Sequence, residues 1–507
     1  MDKIVVLDFG SQYSHLICRR IREFSVYAEL VPFDISYEEL QKHNPKGIIF
    51  SGGPSSVYNS DAPIPEDRIF EMNLPILGIC YGHQLIVNKY GGKIKRANKE
   101  YGSSLLTIDN DKDLLSGIGE SVRAWMSHGD EAEEIPPGFQ VIGHTESAKA
   151  AAIASEEKSI YGIQFHPEVM HTEQGTQILK NFVLKVCKAK QDWTMEAFID
   201  TAVEKITKIE GNVLCGVSGG IDSTVTALLI HKAIGDKLKC IFVNNGLLRL
   251  NEEIEVEEMF KDNFKLNFSV IDAADKFLEK LKGVEDPEKK RKIVGEEFIR
   301  VFTEFTEKNG PFKWLAQGTL YPDVIESGVS KGPASVIKSH HNVGGLPDWL
   351  KLEILEPLRE LYKDEVRKIA KILNVPDKLV MRHPFPGPGL AVRIIGEVTS
   401  TKLQIAKVAS KIVEDELIEA NLYDKVWQAY AAVGDDKAVG VIGDKRRYGN
   451  IVMIRVVDSI DAMTADWTRL PHGLLEKMSN RITNEIEDVT WVTYTISSKP
   501  PATIEPQ

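Results

Sequence analysis

Twice in this chain a short apolar segment ends at a glycine-flanked turn and is followed at once by a helical pattern. Residues 75–79 (PILGI) lead to Cys80 and to a helix predicted over Gln84–Tyr90. Residues 213–217 (VLCGV) lead to a Gly/Ser turn and to a helix predicted over Ser223–Ala233. Apolar strands that alternate with helices are typical of parallel sheets covered on both faces. The predicted strands of this kind are Lys3–Asp8, Gly47–Phe50, Ile76–Ile79, Val213–Val217 and Lys239–Val243.

Two segments indicate domain boundaries in the 507 residues. A polar stretch, KAKQDW, follows Cys187 and precedes a helix predicted over Thr194–Glu210, and the Pro- and Gly-rich segment Arg382–Leu390 excludes a helix or a central strand. We expect domains at 1–190, 191–384 and 385–507. The expected fold class is α/β multidomain, with two doubly wound, mostly parallel sheets followed by a smaller α+β domain. In that last domain the pattern predicts strands over 391–398, 437–442, 451–457 and 490–496 and helices over 400–420 and 471–487.

The composition argues against several classes of protein. Lys and Arg number 62 and Asp and Glu 74, a formal net charge of −12, which gives no general attraction to nucleic acid or to an anionic membrane. The first fifteen residues lack the features of a signal peptide, and no run of eighteen apolar residues occurs. The five cysteines include no CxxC pair, so a cysteine zinc site and a disulfide framework are not expected. We therefore expect a cytoplasmic protein without nucleic-acid or membrane partners.

Cys80 is the first candidate reactive group. Gly78 and Gly82 flank it, which suits the sharp strand-to-helix turn that exposes a nucleophile, and the following helix N-terminus favours a thiolate. FHPEV at 165–169 supplies His166 and Glu168, which on a strand would point the same way and complete a Cys-His-acid triad. The alternative is that Cys80 is a small buried side chain, as we infer for the other four cysteines.

GICYGHQ, YGIQFHPEV and the SGGP turn at 51–54 resemble the class I glutamine amidotransferases. The resemblance implies that Cys80 attacks the glutamine side-chain amide, with His166 as general base and acid and Glu168 as its orienting partner. It also implies an oxyanion hole and a glutamine pocket, for which the matching residues are Gly53, Tyr81, Gln84 and Asp130. For Gln84, an ordinary polar helix position is an equally weighted alternative.

The second candidate centre is VLCGVSGGIDST at 213–224. Glycines between a strand and a helix let backbone N–H groups surround an anion, whereas the Lys of a Walker A loop is absent. The loop resembles the PP-loop of ATP pyrophosphatases, which implies that it binds the pyrophosphate part of ATP and that Asp222 is a Mg²⁺ ligand. The implied binding residues are Ser218, Gly219, Gly220, Ile221, Asp222, Ser223 and Thr224. The loop by itself leaves the substrate open.

Stretches beyond the two centres extend the resemblance. GTLYPDVIES, IKSHHNVGGLP, LYKDEVRKIA, RHPFPGPGLAVRI and the tail SSKPPATIEPQ are similar to the glutamine-hydrolysing GMP synthase family, in the same domain order and over essentially the whole chain. This implies ATP-dependent amination of xanthosine 5′-monophosphate (XMP) to GMP through an adenylylated intermediate. Glutamine would supply the ammonia, and the last domain would form a homodimer.

The family resemblance also implies residues that contact XMP or act in adenylylation. These are Arg249, Asp323, Glu326, Lys338, Asp364, Glu365, Gln428, Lys499 and Glu505. For Asp364 and Glu365 the alternative is that they are acids favoured at a helix N-terminus. Contacts of Lys499 and Glu505 with XMP imply that the ligand orders the C-terminal tail. Two positions depart from the family pattern: Asn244 replaces the usual Asp, and the tail ends IEPQ, not IEWE.

Two other functions remain open at this stage. A PP-loop ligase could act on another carbonyl, such as that of nicotinate or a tRNA base. A nucleotide-sensing protein could retain the fold without turnover. Glutamate production that requires both XMP and ATP would separate these possibilities from the first.

Overall fold

The computed structural model describes residues 1–328, 352–442, 444–459 and 464–507, with the backbone alone for 97–99, 325–328 and 442. It contains two compact units, Met1–Phe198 and Ile199–Gln507. Within the described ranges, no helix combines the length and the apolar composition needed to span a bilayer.

The first unit is built on a mixed sheet of strand order β2-β1-β3-β4-β9-β8-β7-β5-β6. Its strands are β1 (Lys3–Asp8), β2 (Tyr27–Pro32), β3 (Gly47–Phe50), β4 (Ile76–Ile79), β5 (Lys93–Ile108), β6 (Ser121–Glu134), β7 (Gln140–His144), β8 (Ala152–Ser155) and β9 (Ile160–Ile163). Its helices are α1 (Ser14–Glu23), α2 (Tyr37–His43), α3 (Tyr81–Lys89) and α4 (Gly175–Lys180), and α5 (Met195–Thr207) continues into the second unit.

The parallel part of this sheet confirms the sequence prediction. Strands β2, β1, β3, β4 and β9 run parallel, and every residue of β3 and β4 is buried because helices cover both faces. Strands β8, β7, β5 and β6 add an antiparallel extension, which includes the long β5–β6 hairpin. Helix α3 was expected from Gln84 but begins directly after Cys80, because the turn at Cys80 leads into the helix without a loop.

The second unit contains a parallel sheet of strand order β12-β11-β10-β13-β14. Its strands are β10 (Val213–Gly216), β11 (Leu238–Asn244), β12 (Phe268–Asp272), β13 (Trp314–Ala316) and β14 (Glu353–Leu355). Its helices are α6 (Ile221–Ile234), α7 (Glu252–Glu257), α8 (Ala274–Leu281), α9 (Pro287–Asn309), α10 (Tyr321–Gly328), α11 (Lys363–Ile372) and α12 (Asp377–Val380). The turn at 217–220 follows the central strand β10, at the edge of the sheet where ligands bind in open parallel sheets.

The rest of the second unit is an α+β layer with its own sheet. Its strands are β15 (Gln428–Ile442), β16 (Lys445–Asp458), β17 (Asp466–Trp467) and β18 (Val489–Tyr494), and its helices are α13 (Ser400–Glu419) and α14 (His472–Glu485). One buried apolar cluster joins this layer to the parallel sheet, since it contains Val243 and Phe277 together with Ala409 and Val452.

The strand predicted over 391–398 is wrong. Residues Gly389–Arg393 form a 3₁₀ turn, and Ile394 makes only an isolated bridge to Val433. The run AVRII is apolar because the turn itself is buried in the core, and apolarity alone cannot separate such a turn from a buried strand. The strands predicted over 437–442 and 451–457 are parts of the longer strands β15 and β16.

Candidate functional site

The first site forms where β4 ends and α3 begins. Cys80 has φ 51° and ψ −100°, a strained conformation for a non-glycine residue. A Cβ at Gly78 would collide with the Gly82 carbonyl, and a Cβ at Gly82 would collide with the Phe50 carbonyl. Both flanking glycines are therefore required for the turn. The Cys80 N–H donates to Ile163 O at 2.8 Å, which fixes the turn against β9.

His166 and Glu168 form the buried polar pair of this site. His166 Nδ1 lies 2.7 Å from Glu168 Oε1, and both side chains are almost fully buried. The prediction that they lie on a strand is wrong, because β9 ends at Ile163 and both residues follow it. Their positions are fixed by His166 N–H donating to Trp125 O at 3.1 Å and by the Thr172 hydroxyl donating to His166 O at 2.6 Å.

The environment of His166 favours its protonated form. Burial disfavours the imidazolium, but the charge of Glu168 and hydrogen bonds with Cys80 and Glu168 outweigh it and raise the pKa of His166 well above its ordinary value. A Cβ placed on Gly52 would lie 3.0 Å from His166 Cε1 and 3.6 Å from Cys80 Cβ, so the 51–54 turn borders both groups. The structure thus brings the predicted nucleophile and the predicted base together.

Gln164 is a neighbour of Cys80 that the sequence analysis missed. Its Nε2 lies 3.7 Å from Cys80 Sγ, and its Oε1 is buried without a hydrogen-bond partner among the residues described. On the other side, Cys80 Sγ lies 3.6 Å from Ser127 O. The only signal for Gln164 in the sequence was its place in YGIQFHPEV, two residues before His166.

The residues predicted for the oxyanion hole border the same turn. Tyr81 is the first residue of α3, where a backbone N–H has no partner within the helix. Gly53 packs so closely on Phe9 that a Cβ would contact the Phe9 carbonyl, and the Phe9 and Tyr81 ring centroids are 5.5 Å apart. The Gly82 N–H donates to Ser51 O at 3.2 Å and ties the 51–54 turn to α3.

The predicted glutamine-binding residues are in contact with one another. Gln84 Nε2 donates to Asp130 O at 3.0 Å, and the Asp130 carboxylate accepts from the Ser56 hydroxyl at 2.6 Å. The segment Ser127–Asp130, which resembles a part of the family's glutamine pocket, also contains His128, whose buried ring lies 3.2 Å from Asp130 O and 3.2 Å from Glu100 Oε2. The polar side chains beside Cys80 therefore form a connected cluster.

The second site is the loop between β10 and α6. The Ser218 N–H donates to Ser223 Oγ at 3.1 Å, and the Gly220 N–H lies 3.3 Å from Ser218 Oγ. The hydroxyls of Ser223 and Thr224 donate to Gly220 O at 3.1 and 2.9 Å. Gly219 has φ 72° and lies so close to Val256 that a Cβ would overlap it. These bonds hold the loop around the N-terminus of α6, where backbone N–H groups favour an anion.

Charged side chains surround this loop, and local sequence patterns pointed to none of the basic ones. Lys363 Nζ donates to Asp222 Oδ2, and Arg382 Nη1 donates to Gly219 O at 3.4 Å. Arg382 also pairs with the buried Glu252 at 3.1 Å. Two cationic groups therefore lie beside the loop, as expected for a polyphosphate site.

Asp222 fits a role as a Mg²⁺ ligand. Its Oδ1 is buried and has no hydrogen-bond partner within the described part of the chain. The described residues contain no group of three or more His, Cys, Asp or Glu side chains that could hold a metal by themselves. Mg²⁺ commonly binds through one or two carboxylates together with substrate phosphates, which is the donor set available here.

Arg249 lies next to this charged cluster. Its guanidinium pairs with Glu252 at 3.4 Å, donates to His383 O at 2.8 Å and lies 4.4 Å from the centroid of the Phe385 ring. Burial, together with the nearby charge of Arg382, lowers the pKa of Arg249 to about 10.

Gln428 and Glu505, predicted from distant parts of the sequence, meet in the structure. Gln428 Nε2 donates to Glu505 Oε1 at 2.7 Å, and Arg393 forms two bonds with the Glu505 carboxylate, at 2.9 and 3.0 Å. The guanidinium of Arg393 lies 5.0 Å from the centroid of the Phe385 ring, which the guanidinium of Arg249 also contacts. Protein contacts therefore hold Glu505 in the described structure, and the ordering of the tail by a ligand stays a prediction.

The structure describes local contacts or burial for four of the other residues predicted for XMP or adenylylation. Asp323 Oδ2 accepts from the Leu320 N–H at 3.0 Å, and Glu365 Oε2 accepts from the Tyr362 N–H at 2.8 Å, as in a helix N-cap. Asp364 is half-buried in the first turn of α11, and Lys499 pairs through its backbone with Ala465. The side chain of Glu326 and all of Lys338 lie outside the described residues.

Comparison with known proteins gives matches over the whole chain. The family models described as glutamine amidotransferase class-I, NAD synthase and GMP synthase C terminal domain match residues 5–186, 193–298 and 415–506. The chain is 52% identical over 508 residues to the GMP synthase [glutamine-hydrolyzing] of Brachyspira hyodysenteriae, covering 100% of this chain and 99% of that protein. It is 53% identical over 507 residues to the protein of the same name from Caldanaerobacter subterraneus subsp. tengcongensis, covering 99% of each. It is also 53% identical over 506 residues to that of Caldicellulosiruptor saccharolyticus, again covering 99% of each.

Proposed function

This chain belongs to the family of glutamine-hydrolysing GMP synthases, and on that premise we propose how its two sites divide the reaction. The enzyme is a glutamine-dependent ligase that uses ATP to convert XMP to GMP. The site at Cys80 releases ammonia from glutamine, and the site at 218–224 activates XMP. The observation that carries the first assignment is the buried 2.7 Å contact between His166 and Glu168 next to the strained Cys80 turn.

At the first site, Cys80 gives its thiol proton to His166, and Sγ forms a bond to the side-chain amide carbon of glutamine. The C–N bond then breaks, and His166 gives its proton to the departing ammonia. A water molecule then attacks the thioester carbon and gives a proton to His166. The C–S bond breaks, Cys80 Sγ recovers that proton from His166, and glutamate leaves. The backbone N–H groups of Gly53 and Tyr81 would stabilise the oxyanion in both steps, which is worth about 3 kcal/mol for one such donor. Glu168 keeps His166 oriented and favours its charged form.

At the second site, the 2-oxo oxygen of XMP attacks the α-phosphorus of ATP. The bond between the α- and β-phosphates breaks, and pyrophosphate remains against residues 218–224 until it is released. Ammonia then attacks C2 of the adenylylated base, the bond from C2 to the activated oxygen breaks, and AMP leaves with GMP as the product. Mg²⁺, held through Asp222 and the phosphates, would neutralise phosphate charge. Lys363 and Arg382 add positive charge beside the loop.

XMP would bind near Phe385, whose ring contacts the guanidinium groups of Arg249 and Arg393. Arg249 and Lys499 can pair with its phosphate, while Gln428 and Glu505 can hydrogen-bond its base or ribose. We assign Asp323, Glu326, Lys338, Asp364 and Glu365 to the same reaction on the family resemblance alone.

The domain boundaries at 1–190, 191–384 and 385–507 and the homodimer are part of the proposal. On the C-terminal sheet, Val439 and Tyr448 are paired across β15 and β16 and are largely exposed, as are Val441 and Trp491. Such an apolar surface suits a second copy of this chain. Sedimentation velocity would show a dimer that Val441→Glu converts to a monomer, and a monomeric wild type would contradict the assignment.

We also propose that the enzyme acts in the cytoplasm.

A crossed pair of variants tests the division of labour. GMP formation from XMP and ATP is measured with glutamine and, separately, with ammonium. Cys80→Ala is expected to lose only the glutamine-driven reaction, whereas Asp222→Asn is expected to slow both reactions and to raise the Mg²⁺ concentration that each requires. Asp236→Asn, an exposed acid just beyond the other end of α6, serves as the control. If the wild type makes no GMP even with ammonium, XMP is the wrong substrate.

A further inference from the structure

The side chain of Gln507 is held by a buried lysine. Lys290 Nζ donates to Gln507 Oε1 at 2.6 Å, and Arg291 Nη2 donates to Gln507 O at 2.6 Å. Lys290 lies on α9, far away in sequence, and its side chain is fully buried. Lysine is among the residues that are almost never fully buried, so this position needs an explanation.

The same amino group also holds the turn that carries Arg393. Lys290 Nζ donates to Ile394 O at 2.6 Å and to Ala391 O at 3.2 Å, on either side of Arg393. Arg393 in turn binds the Glu505 carboxylate, two residues before Gln507. Lys290 therefore connects the two backbone segments whose side chains, Arg393 and Glu505, form the ion pair.

The rest of the tail has separate anchors. Arg455 donates to the backbone oxygens of Ser497, Thr503 and Ile504, and the Tyr430 hydroxyl donates to Ile504 O at 2.6 Å. These contacts end at residue 504. The side chains outside the tail that hold Glu505 and Gln507 are Arg393, Gln428, Lys290 and Arg291, and within the tail the Thr503 hydroxyl donates to Glu505 O.

We propose that Lys290 is a positioning residue, which clamps the tail to the turn Gly389–Arg393 and so sets the place of Glu505 in the XMP site. This rests on the proposed role of Glu505 in binding XMP. Lys290 itself does not touch the substrate, because its amino group is fully occupied by three protein oxygens.

The charge state of Lys290 agrees with this role. Burial, followed by the repulsion of Lys402, lowers the pKa of Lys290 to about 8, so the group remains mostly protonated at neutral pH. Its three acceptors are uncharged, and bonds from a charged donor to such oxygens are stronger than neutral ones. A charged Lys290 can therefore hold the tail through the uncharged side-chain amide of Gln507.

Two measurements on Lys290→Met test the proposal. Hydrogen exchange of a peptide covering 495–507 reports on the tail, and the KM for XMP in the ammonium-driven reaction reports on the site. We expect faster exchange in the tail and a KM for XMP raised at least fivefold, with kcat and the KM for ATP changed less than twofold. Lys292→Met, an exposed lysine on the same helix, is the matched control and should equal the wild type.

Gln507→Ala removes only the partner at the end of the tail and is a second variant in case Lys290→Met does not fold. It should reproduce the faster exchange and the raised KM for XMP. Exchange equal to that of the wild type in a folded variant would overturn the clamp. Faster exchange with an unchanged KM for XMP would overturn the positioning of Glu505. If the wild type makes no GMP, the proposed function fails separately, and hydrogen exchange still decides whether Lys290 holds the tail.

Discussion

His166 Nδ1 and Glu168 Oε1 lie 2.7 Å apart, and both side chains are almost fully buried beside Cys80. Because the carboxylate supports the imidazolium against burial, removing its charge should lower the pKa of His166.

Glu168→Gln tests this relationship through the pH dependence of the glutamine-driven rate. The imidazolium that protonates the leaving ammonia would be lost at a lower pH, so the alkaline limb of the rate profile should move to lower pH. The maximal rate should fall about 100-fold, as for other acid–base groups. The ammonium-driven rate should not change, and Glu157→Gln, at an exposed turn, should behave as the wild type. An unshifted alkaline limb would show that Glu168 does not control His166.

Gly82→Ala should disrupt the Cys80 turn. The added methyl group would collide with the Phe50 carbonyl, and neither backbone segment can move freely inside the core. We expect a loss of about 1–3 kcal/mol in the free energy of unfolding, together with a reduced glutamine-driven rate. Thermal and urea unfolding would measure the change in the free energy of unfolding. Gly295→Ala is the control, because that exposed helix position has open space and should be neutral or slightly stabilising. Normal stability of Gly82→Ala would contradict the overlap.

Glu252→Gln should destabilise the second unit. The carboxylate is almost fully buried and pairs with both Arg249 and Arg382. Its neutralisation removes an acidic partner from each guanidinium and leaves Arg382 with Glu255 at 3.6 Å. Breaking such a buried pair costs about 3 kcal/mol or more. The comparison is Glu257→Gln, whose exposed pair with Lys261 should contribute less than about 1 kcal/mol. Equal urea midpoints for the two variants would show that burial has no such effect here.

Asn244→Asp should reveal why this chain departs from the family pattern at the end of β11. Asn244 Nδ2 donates to Glu253 Oε2 at 2.6 Å, and burial together with Asp272 already raises the pKa of that carboxyl. A carboxylate at position 244 would raise the pKa of Glu253 further. A carboxyl whose pKa is raised on folding stabilises the protein below its ordinary pKa and loses that contribution as the pH rises through the folded value.

The expected loss for Asn244→Asp is therefore larger at pH 8 than at pH 5, by about 1–3 kcal/mol in unfolding free energy. Urea titrations at both values would measure it. Asn267→Asp, which adds a charge beside Lys239 on the surface, should cause no such loss. A pH-independent effect of Asn244→Asp would show that repulsion from Glu253 is not the cause.

Local patterns were sufficient for the elements that carry the two sites. The strands before Cys80 and before Ser218 were found because buried parallel strands are uninterrupted apolar runs, and the loops because glycines interrupt them. The prediction failed at 391–398, where the apolar run AVRII is a buried turn. The β5–β6 hairpin was also missed.

The sequence by itself determined the reaction class, because a nucleophile turn and an anion-binding loop are local structures that depend on residues close together in the chain. Only the tertiary structure decided which distant side chains complete them. Lys363 beside the loop and Lys290 at the tail stand in ordinary charged stretches, which predict no partner. Arg382 begins the Pro- and Gly-rich segment and Arg393 stands in the apolar run after it, and neither pattern predicts a partner. Their roles arise because packing buries them next to opposite charge or to carbonyl oxygens, and that proximity is set by the fold of the whole unit and not by neighbouring residues.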